Sequence, residues 1–88
     1  METINATTKR GTAFINAYNR SDRGSLRECY SNYSSAKARA ERDCIEKMHR
    51  ENGVGFKILG FNSSFFTCGW MTDEGLRIET ACGSYLVK

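Results

Sequence analysis

The side chains most able to do chemistry are the single histidine, His49, and two residues that precede it, Cys44 and Glu46. An imidazole beside a carboxylate can transfer protons, and a thiol beside an imidazole can act as a nucleophile. The spacing of this segment is helical and places His49 and Glu46 on the charged face of the helix, with no nucleophile elbow or oxyanion-hole motif nearby. We therefore expect a protein that is not an enzyme. The alternative, an enzyme using Cys44 or His49, predicts that alanine at either position abolishes function without unfolding the chain.

The four cysteines do not form a metal-binding or redox motif. They are Cys29, Cys44, Cys68 and Cys82, with no C-x-x-C pair and no zinc spacing, so we expect no metal and no cofactor. If Cys29 and Cys44 share one helix, they lie ~22 Å apart at ~1.5 Å rise per residue, which is too far for a disulfide. The sequence favours reduced thiols, as in a cytosolic protein, and leaves open whether any of them pair.

Positive charge is concentrated in the first half of the chain. Residues 1–50 hold ten Lys or Arg against six Asp or Glu, whereas residues 51–88 hold three against four, and the net charge is +3. This balance favours an acidic partner or a nucleic acid and excludes a DNA mimic, which needs dense surface acid. Opposite charges four residues apart, such as Arg39 and Asp43, are expected to neutralise part of the basic surface. The residues predicted to contact a partner are Arg20, Arg23, Arg27, Lys37, Arg39, Arg42, Phe65 and Trp70.

The main element predicted to position these side chains is one amphipathic helix. Ser25 to Glu28 match a capping box, and apolar residues then recur at three- and four-residue steps as far as Met48. The pattern predicts one long helix over Ser25–Asn52, with Ser34-Ser35 as a kink or a second N-cap. A shorter helix is predicted around Ala13–Tyr18, and residues 1–10 are expected to be a frayed start.

Alternating apolar residues after Gly53 predict strands. They cover Val54–Phe61, Ser64–Met71 and Leu76–Cys82, with a further short segment at Tyr85–Val87. The short connections imply antiparallel pairing between successive strands. The predicted fold is a single α+β domain over residues 1–88, in which one long helix packs on a three- to four-stranded antiparallel meander sheet and a short N-terminal helix is added.

The second predicted strand is apolar on both sides. Its side chains alternate between two sets, with Phe66, Cys68 and Trp70 on one face and Phe65 and Met71 on the other. The long helix can cover only one face, so the second needs the N-terminal helix, a second copy of the chain or a foreign partner.

Neither the apolar runs nor the N-terminal residues indicate a membrane or secreted protein. No apolar run reaches the roughly 20 residues needed to cross a bilayer, and Met1–Asn5 lack the basic and apolar regions of a secretory signal. We therefore expect a cytoplasmic protein.

A composite pattern resembles a known group of small proteins. It comprises Tyr33–Ala40, Cys44, residues 52–59, Asn62 and residues 65–67. The pattern resembles small uncharacterised accessory proteins of phages and mobile elements. The resemblance implies a phage-type binding protein that acts in the host cytoplasm and inhibits a host defence protein or nucleoprotein complex by docking on it, as anti-CRISPR proteins do. A small nucleic-acid-binding regulator is the alternative, and a homodimer stays open.

Overall fold

A computed structural model describes residues 1–29, 33–61 and 66–88, without the side chains of residues 28 and 29. The α+β class predicted from the sequence is confirmed. In the described residues one sheet has the strand order β1-β5-β4-β3-β2. The strands are β1 Glu2–Ile4, β2 Val54–Phe61, β3 Phe66–Thr72, β4 Gly75–Thr80 and β5 Gly83–Val87, and the helices are α1 Lys9–Arg20, α2 Leu26–Cys29 and α3 Ser35–Arg50.

The strands after Gly53 form the expected meander. β2 to β5 pair antiparallel in chain order, with Trp70 opposite Arg77 and Ile78 opposite Tyr85. Residues alternate across the pleat, so Arg77 shares a face with Trp70, whereas Ile78 lies on the other face. This register decides which side chains of β4 meet each helix.

The start of the chain differs from the expected frayed segment. Glu2–Ile4 form β1, which pairs in parallel with β5 and makes the sheet mixed rather than purely antiparallel. The side chain of Ile4 is buried, and backbone hydrogen bonds join Ala6 N to Lys88 O at 2.7 Å and Lys88 N to Ile4 O at 3.0 Å. Three residues with one buried side chain are too few to show a period, and the sequence therefore does not predict this strand.

The predicted single long helix is wrong in detail, because the structure divides it. α2 ends at Cys29, and α3 begins at Ser35 after the N-cap Ser34, whose Oγ accepts a hydrogen bond from Lys37 N at 3.2 Å. Ser34 was one of the two positions at which the sequence predicted a break. Leu26 is fully buried, and its N–H donates to Glu41 Oε1 at 3.0 Å. The buried carboxylate of Glu41 thus fixes the start of α2 beside the middle of α3.

The N-cap of α3 can be tested by a substitution that removes only its side-chain oxygen. We expect Ser34→Ala to lower the free energy of unfolding by ~1 kcal/mol, because the N–H of Lys37 loses its acceptor. Ser35→Ala is the matched control and should cost nothing, since alanine is favoured inside a helix. Urea denaturation of the two variants measures the difference, and equal stabilities would contradict the capping role.

The end of α3 depends on close packing. The helix ends at Arg50, and Asn52 takes the left-handed conformation with φ 56°. Gly53 N donates to Met48 O at 2.8 Å, which closes the last turn. A Cβ at Gly53 would lie 2.5 Å from Trp70 Cδ1, so only glycine allows the chain to pass this close to the indole.

The two helices cover opposite faces of the sheet. On one face, Met48 of α3 packs with Cys68 and Trp70 of β3. On the other face, Tyr18 of α1 packs with a cluster formed by Leu76, Ile78 and Val87, with Phe14 and Ile15 at its margin. The N-terminal helix therefore packs on the second face of the sheet, one of the covers that the sequence leaves open.

Candidate interaction surface

Five of the predicted contact residues are arginines that lie exposed on adjoining elements. Arg20 is the last residue of α1, Arg23 lies in the loop after it, and Arg27 lies in α2. Arg39 and Arg42 lie on the exposed side of α3. We call these five residues the basic surface.

The loop after α1 holds the backbone of Arg23 against the edge of the sheet. β2 is the outermost strand on this side, and the N–H of Ile58 donates to the carbonyl of Arg23 at 2.7 Å. Ser21 Oγ donates to the carbonyl of Ile58 at 2.6 Å. The loop thus bonds both backbone groups of Ile58 on the exposed edge of β2, which hinders another strand from pairing at that position. The side chain of Arg23 is exposed to solvent.

Two further arginines lie next in sequence to the residues that join α2 to α3. Arg27 and Arg42 directly follow Leu26 and Glu41, the two residues joined by the buried hydrogen bond. Both guanidinium-bearing side chains are exposed. The basic surface therefore follows the chain from the end of α1, along the β2 edge, to the exposed side of α3.

The predicted neutralisation of this surface within α3 is not observed. Among the described residues, none of the five arginines forms an ion pair with an aspartate or glutamate. The ion pairs found there are Arg10–Glu2, Lys47–Glu79, Arg77–Glu51 and Arg77–Glu79. Arg39 and Arg42 in particular do not pair with Asp43 and Glu46, because their side chains extend separately into water, where such pairs gain little free energy.

The other three predicted contact residues lie elsewhere. The ammonium of Lys37, which is half-buried, lies 4.7 Å from the ring centroid of Phe61. Phe65 lies outside the described residues. Trp70 is 0% exposed, so its indole belongs to the core and offers no surface for a base or a partner.

A polar cluster that the sequence did not predict lies beside Trp70. Arg77 is 4% exposed and donates from Nη2 to Glu79 Oε1 at 2.8 Å and from Nε to Glu51 Oε1 at 3.1 Å. Trp70 Nε1 donates to the same Glu51 oxygen at 3.0 Å. Lys47 Nζ and Ser84 Oγ complete the set by donating to Glu79 at 2.9 and 2.8 Å. We call Arg77, Glu51, Glu79, Lys47 and Ser84 the Arg77 cluster.

The pKa shifts of Arg77 and Glu79 favour the charged form of both side chains. Burial favours the neutral forms of both Arg77 and Glu79. The hydrogen bonds that Arg77 donates to Glu79 and Glu51, and those that Glu79 accepts from Lys47 and Ser84, outweigh burial. The net effect raises the pKa of Arg77 and lowers the pKa of Glu79. A carboxylate held ionised in this way is a poor proton donor at neutral pH. The cluster therefore serves the packing of β4 against the end of α3.

The candidate catalytic residues are not brought together. Cys44 is half-buried and packs against the core cluster of Met48, Cys68 and Trp70, whereas Glu46 and His49 are exposed to solvent. Within residues 1–29, 33–61 and 66–88, no group of three or more His, Cys, Asp or Glu could hold a metal ion. In the same part of the chain, no helix has both the length and the apolar content to cross a bilayer.

Two clefts flank the turn between β3 and β4. One, of about 600 Å³, is lined by apolar side chains of both layers, among them Ile15, Met71 and Leu76. The other, of about 340 Å³, lies above Arg77 and carries Glu51, Asp73 and Glu74. The molecule is therefore acidic at this turn and basic along the β2 edge. The sequence indicates this separation only in part, through the excess of Lys and Arg in residues 1–50.

The chain was compared with protein families, curated proteins and solved structures, and no family, curated protein or solved structure matches it.

Proposed function

We propose that this chain is a non-enzymatic, phage-type binding protein that docks through its basic surface on an acidic face of a host defence protein or nucleoprotein complex. The observation that supports this proposal is the set of five exposed arginines without an ion-pair partner in the described residues. Under this proposal the protein acts in the host cytoplasm and inhibits the protein or complex that it binds, as anti-CRISPR proteins do.

The chemistry of arginine suits this role. A guanidinium offers several N–H donors in a planar fork that matches the two oxygens of a carboxylate or phosphate. An arginine that is already paired must break that pair before it binds a partner. Within the described residues the arginines of the basic surface have no such pair to break. Their charge also accelerates association with an acidic surface.

The scaffold holds these arginines before any partner binds. The hydrogen bonds of Ile58 with Arg23 and Ser21 fix the loop, and the bond from Leu26 to Glu41 fixes α2. A backbone that is ordered in advance loses less conformational freedom on binding. The interface is therefore expected to form with little rearrangement.

The proposal predicts that two arginines at the centre of the basic surface are required for binding. Arg27→Ala/Arg42→Ala should weaken binding to the target at least ~10-fold, because paired interface charges contribute several kcal/mol when their partners become desolvated. Lys9→Ala/Lys88→Ala removes the same charge from exposed positions outside the basic surface and should bind as the unmodified protein does. Purified guide-loaded CRISPR effector complexes, immobilised one by one, are the targets to examine. Failure to bind any member of a broad panel would overturn the proposal.

Direct binding to nucleic acid is the second candidate, and the same unpaired arginines favour it. Five arginine–phosphate contacts predict that log K falls with log salt at a slope of about −4 to −5. Aromatic stacking gives little support, because Trp70 is buried in the core. An electrophoretic shift of short single- and double-stranded oligonucleotides across a salt series distinguishes the two candidates, since the docking proposal predicts no shift of free nucleic acid at physiological salt.

A further inference from the structure

Two cysteines from different layers meet in the core. Cys44 lies on α3 and packs against the cluster that contains Cys68 of β3. Neither forms a disulfide in this structure. Cys68 is 0% exposed, whereas Cys44 is half-buried and reaches the margin of the core. The pair therefore combines a half-buried cysteine with a fully buried one.

We propose that Cys44 and Cys68 form a dithiol modification site, which low-molecular-weight disulfides such as oxidised glutathione convert into an intramolecular disulfide between α3 and β3. This site is independent of the basic surface and of the proposed docking function. The distance between the two cysteines in sequence gives no indication of it.

The two thiols have different roles in the reaction, with Cys44 attacking first and Cys68 second. The Cys68 thiol donates a hydrogen bond to Cys44, which lowers the pKa of Cys44 and makes it the thiolate that attacks. The Cys44 thiolate forms a bond to one sulfur of oxidised glutathione and releases the other half as glutathione thiolate. Cys68 then loses its proton to water and attacks Cys44 Sγ, and the second glutathione leaves. The sum is two protein thiols and one oxidised glutathione giving one protein disulfide and two reduced glutathiones.

The surroundings of Cys68 explain why it acts second. Its hydrogen bond to Cys44, its burial and the charge of Cys44 raise the pKa of Cys68. Two of these three influences end when Cys44 enters a mixed disulfide, because Cys44 then carries no charge and no longer binds the Cys68 proton as a thiolate. Modification of the outer thiol thus activates the inner thiol.

The sequence allows this site to be located by peptide mapping. Trypsin cleaves after Lys and Arg, so the four cysteines fall on four different peptides, which are residues 28–37, 43–47, 58–77 and 78–88. The native, reduced protein is incubated with oxidised glutathione, its remaining thiols are alkylated, and the unreduced digest is analysed by mass spectrometry. We expect peptides 43–47 and 58–77 to be joined. The exposed Cys82 should instead appear in peptide 78–88 as a glutathione adduct, which shows that the reagent is active.

Stability provides an independent readout. Closing the loop between Cys44 and Cys68 should raise the thermal midpoint of the oxidised protein by roughly 10–25 °C over the reduced protein. Cys82→Ser should retain the rise, whereas Cys44→Ala should lose both the joined peptide and the rise. The proposal is overturned if Cys44 remains a glutathione adduct, if Cys44 joins Cys29 instead, or if peptides 43–47 and 58–77 stay alkylated while Cys82 reacts. A joined pair that lowers the midpoint would also overturn it, because the bond would then require an opened fold.

Discussion

Trp70→Ala is expected to remove a large part of the protein's free energy of unfolding. The indole is fully buried, packs with Met48 and Cys68, and lies 6.4 Å from the ring of Phe56. Its removal also leaves Glu51 without the Nε1–H donor. Replacing a buried tryptophan with alanine costs ~3–5 kcal/mol. A chain of 88 residues has roughly 4–13 kcal/mol of stability in all, so this loss removes much or all of it.

Two variants separate the contributions of the indole. Trp70→Phe keeps an aromatic ring and loses the hydrogen bond to Glu51, so it should be destabilised by less than Trp70→Ala. Met71→Ala, at the next position in β3, removes a side chain that is 41% exposed and should change stability by less than ~0.5 kcal/mol. Urea denaturation followed by circular dichroism measures all three. If Trp70→Ala folds as stably as the unmodified chain but loses binding, the indole belongs to a partner surface, as the sequence predicts, and its placement in the core is wrong.

Arg77→Met is expected to cost ~3–5 kcal/mol at neutral pH. The substitution keeps the bulk of the side chain but leaves the largely buried carboxylate of Glu79 and the half-buried carboxylate of Glu51 without their shared cation. Removing one partner of a buried ion pair is costly because the remaining charge stays poorly solvated. The double variant Arg77→Met/Glu79→Gln should recover part of the loss, since it removes one of the two carboxylates that lose their bond to Arg77.

The pH dependence of this loss has a definite sign. In the unmodified protein the folded-state pKa of Glu79 lies below its ordinary value of 4.5, so its stabilising contribution is complete above pH 4.5 and disappears as the pH falls through the lowered pKa. Arg77→Met removes one of the hydrogen bonds that lower this pKa. The difference in stability between the two proteins should therefore be largest at neutral pH and shrink steadily below pH 4.5. A difference that stays constant from pH 7 to pH 3 would show that Glu79 is not the group that Arg77 stabilises.

The elements that follow from a repeating apolar pattern or a local signal were predictable from the sequence. The features that depend on a single long-range contact were not. Alternation after Gly53 predicts the meander, and Ser34 predicts the break before α3, because a serine N-cap is a local signal. β1 is missed because only Ile4 of its three residues is buried. The burial of Glu41 is missed because its partner is the backbone N–H of Leu26, far away in the sequence.

The same distinction between predictable and unpredictable features applies to the candidate interaction surface. The exposure of the arginines of the basic surface follows from their helix and loop positions, and the sequence predicts it. The lack of ion-pair partners for these arginines among the described residues is not predictable, because a spacing of four residues permits an ion pair without requiring one. Trp70 is misplaced since tryptophan is common both in cores and in interfaces, and only the packing of α3 on β3 decides between them. Arg77 is missed because its partners come from the end of α3 and from its own strand.

The central claim is that the arginines of the basic surface bind an acidic partner, and its most direct test is the salt dependence of affinity. Binding to the immobilised host complex is measured from low to physiological salt for three proteins: the unmodified chain, Arg27→Ala/Arg42→Ala and Lys9→Ala/Lys88→Ala. The slope of log K against log salt should be shallower by about 2 in the arginine variant if the contacts are to phosphate, and the lysine variant should keep the original slope. For carboxylate contacts, the arginine variant alone should still lose affinity, most strongly at low salt. Equal affinities and slopes for all three proteins would contradict the claim.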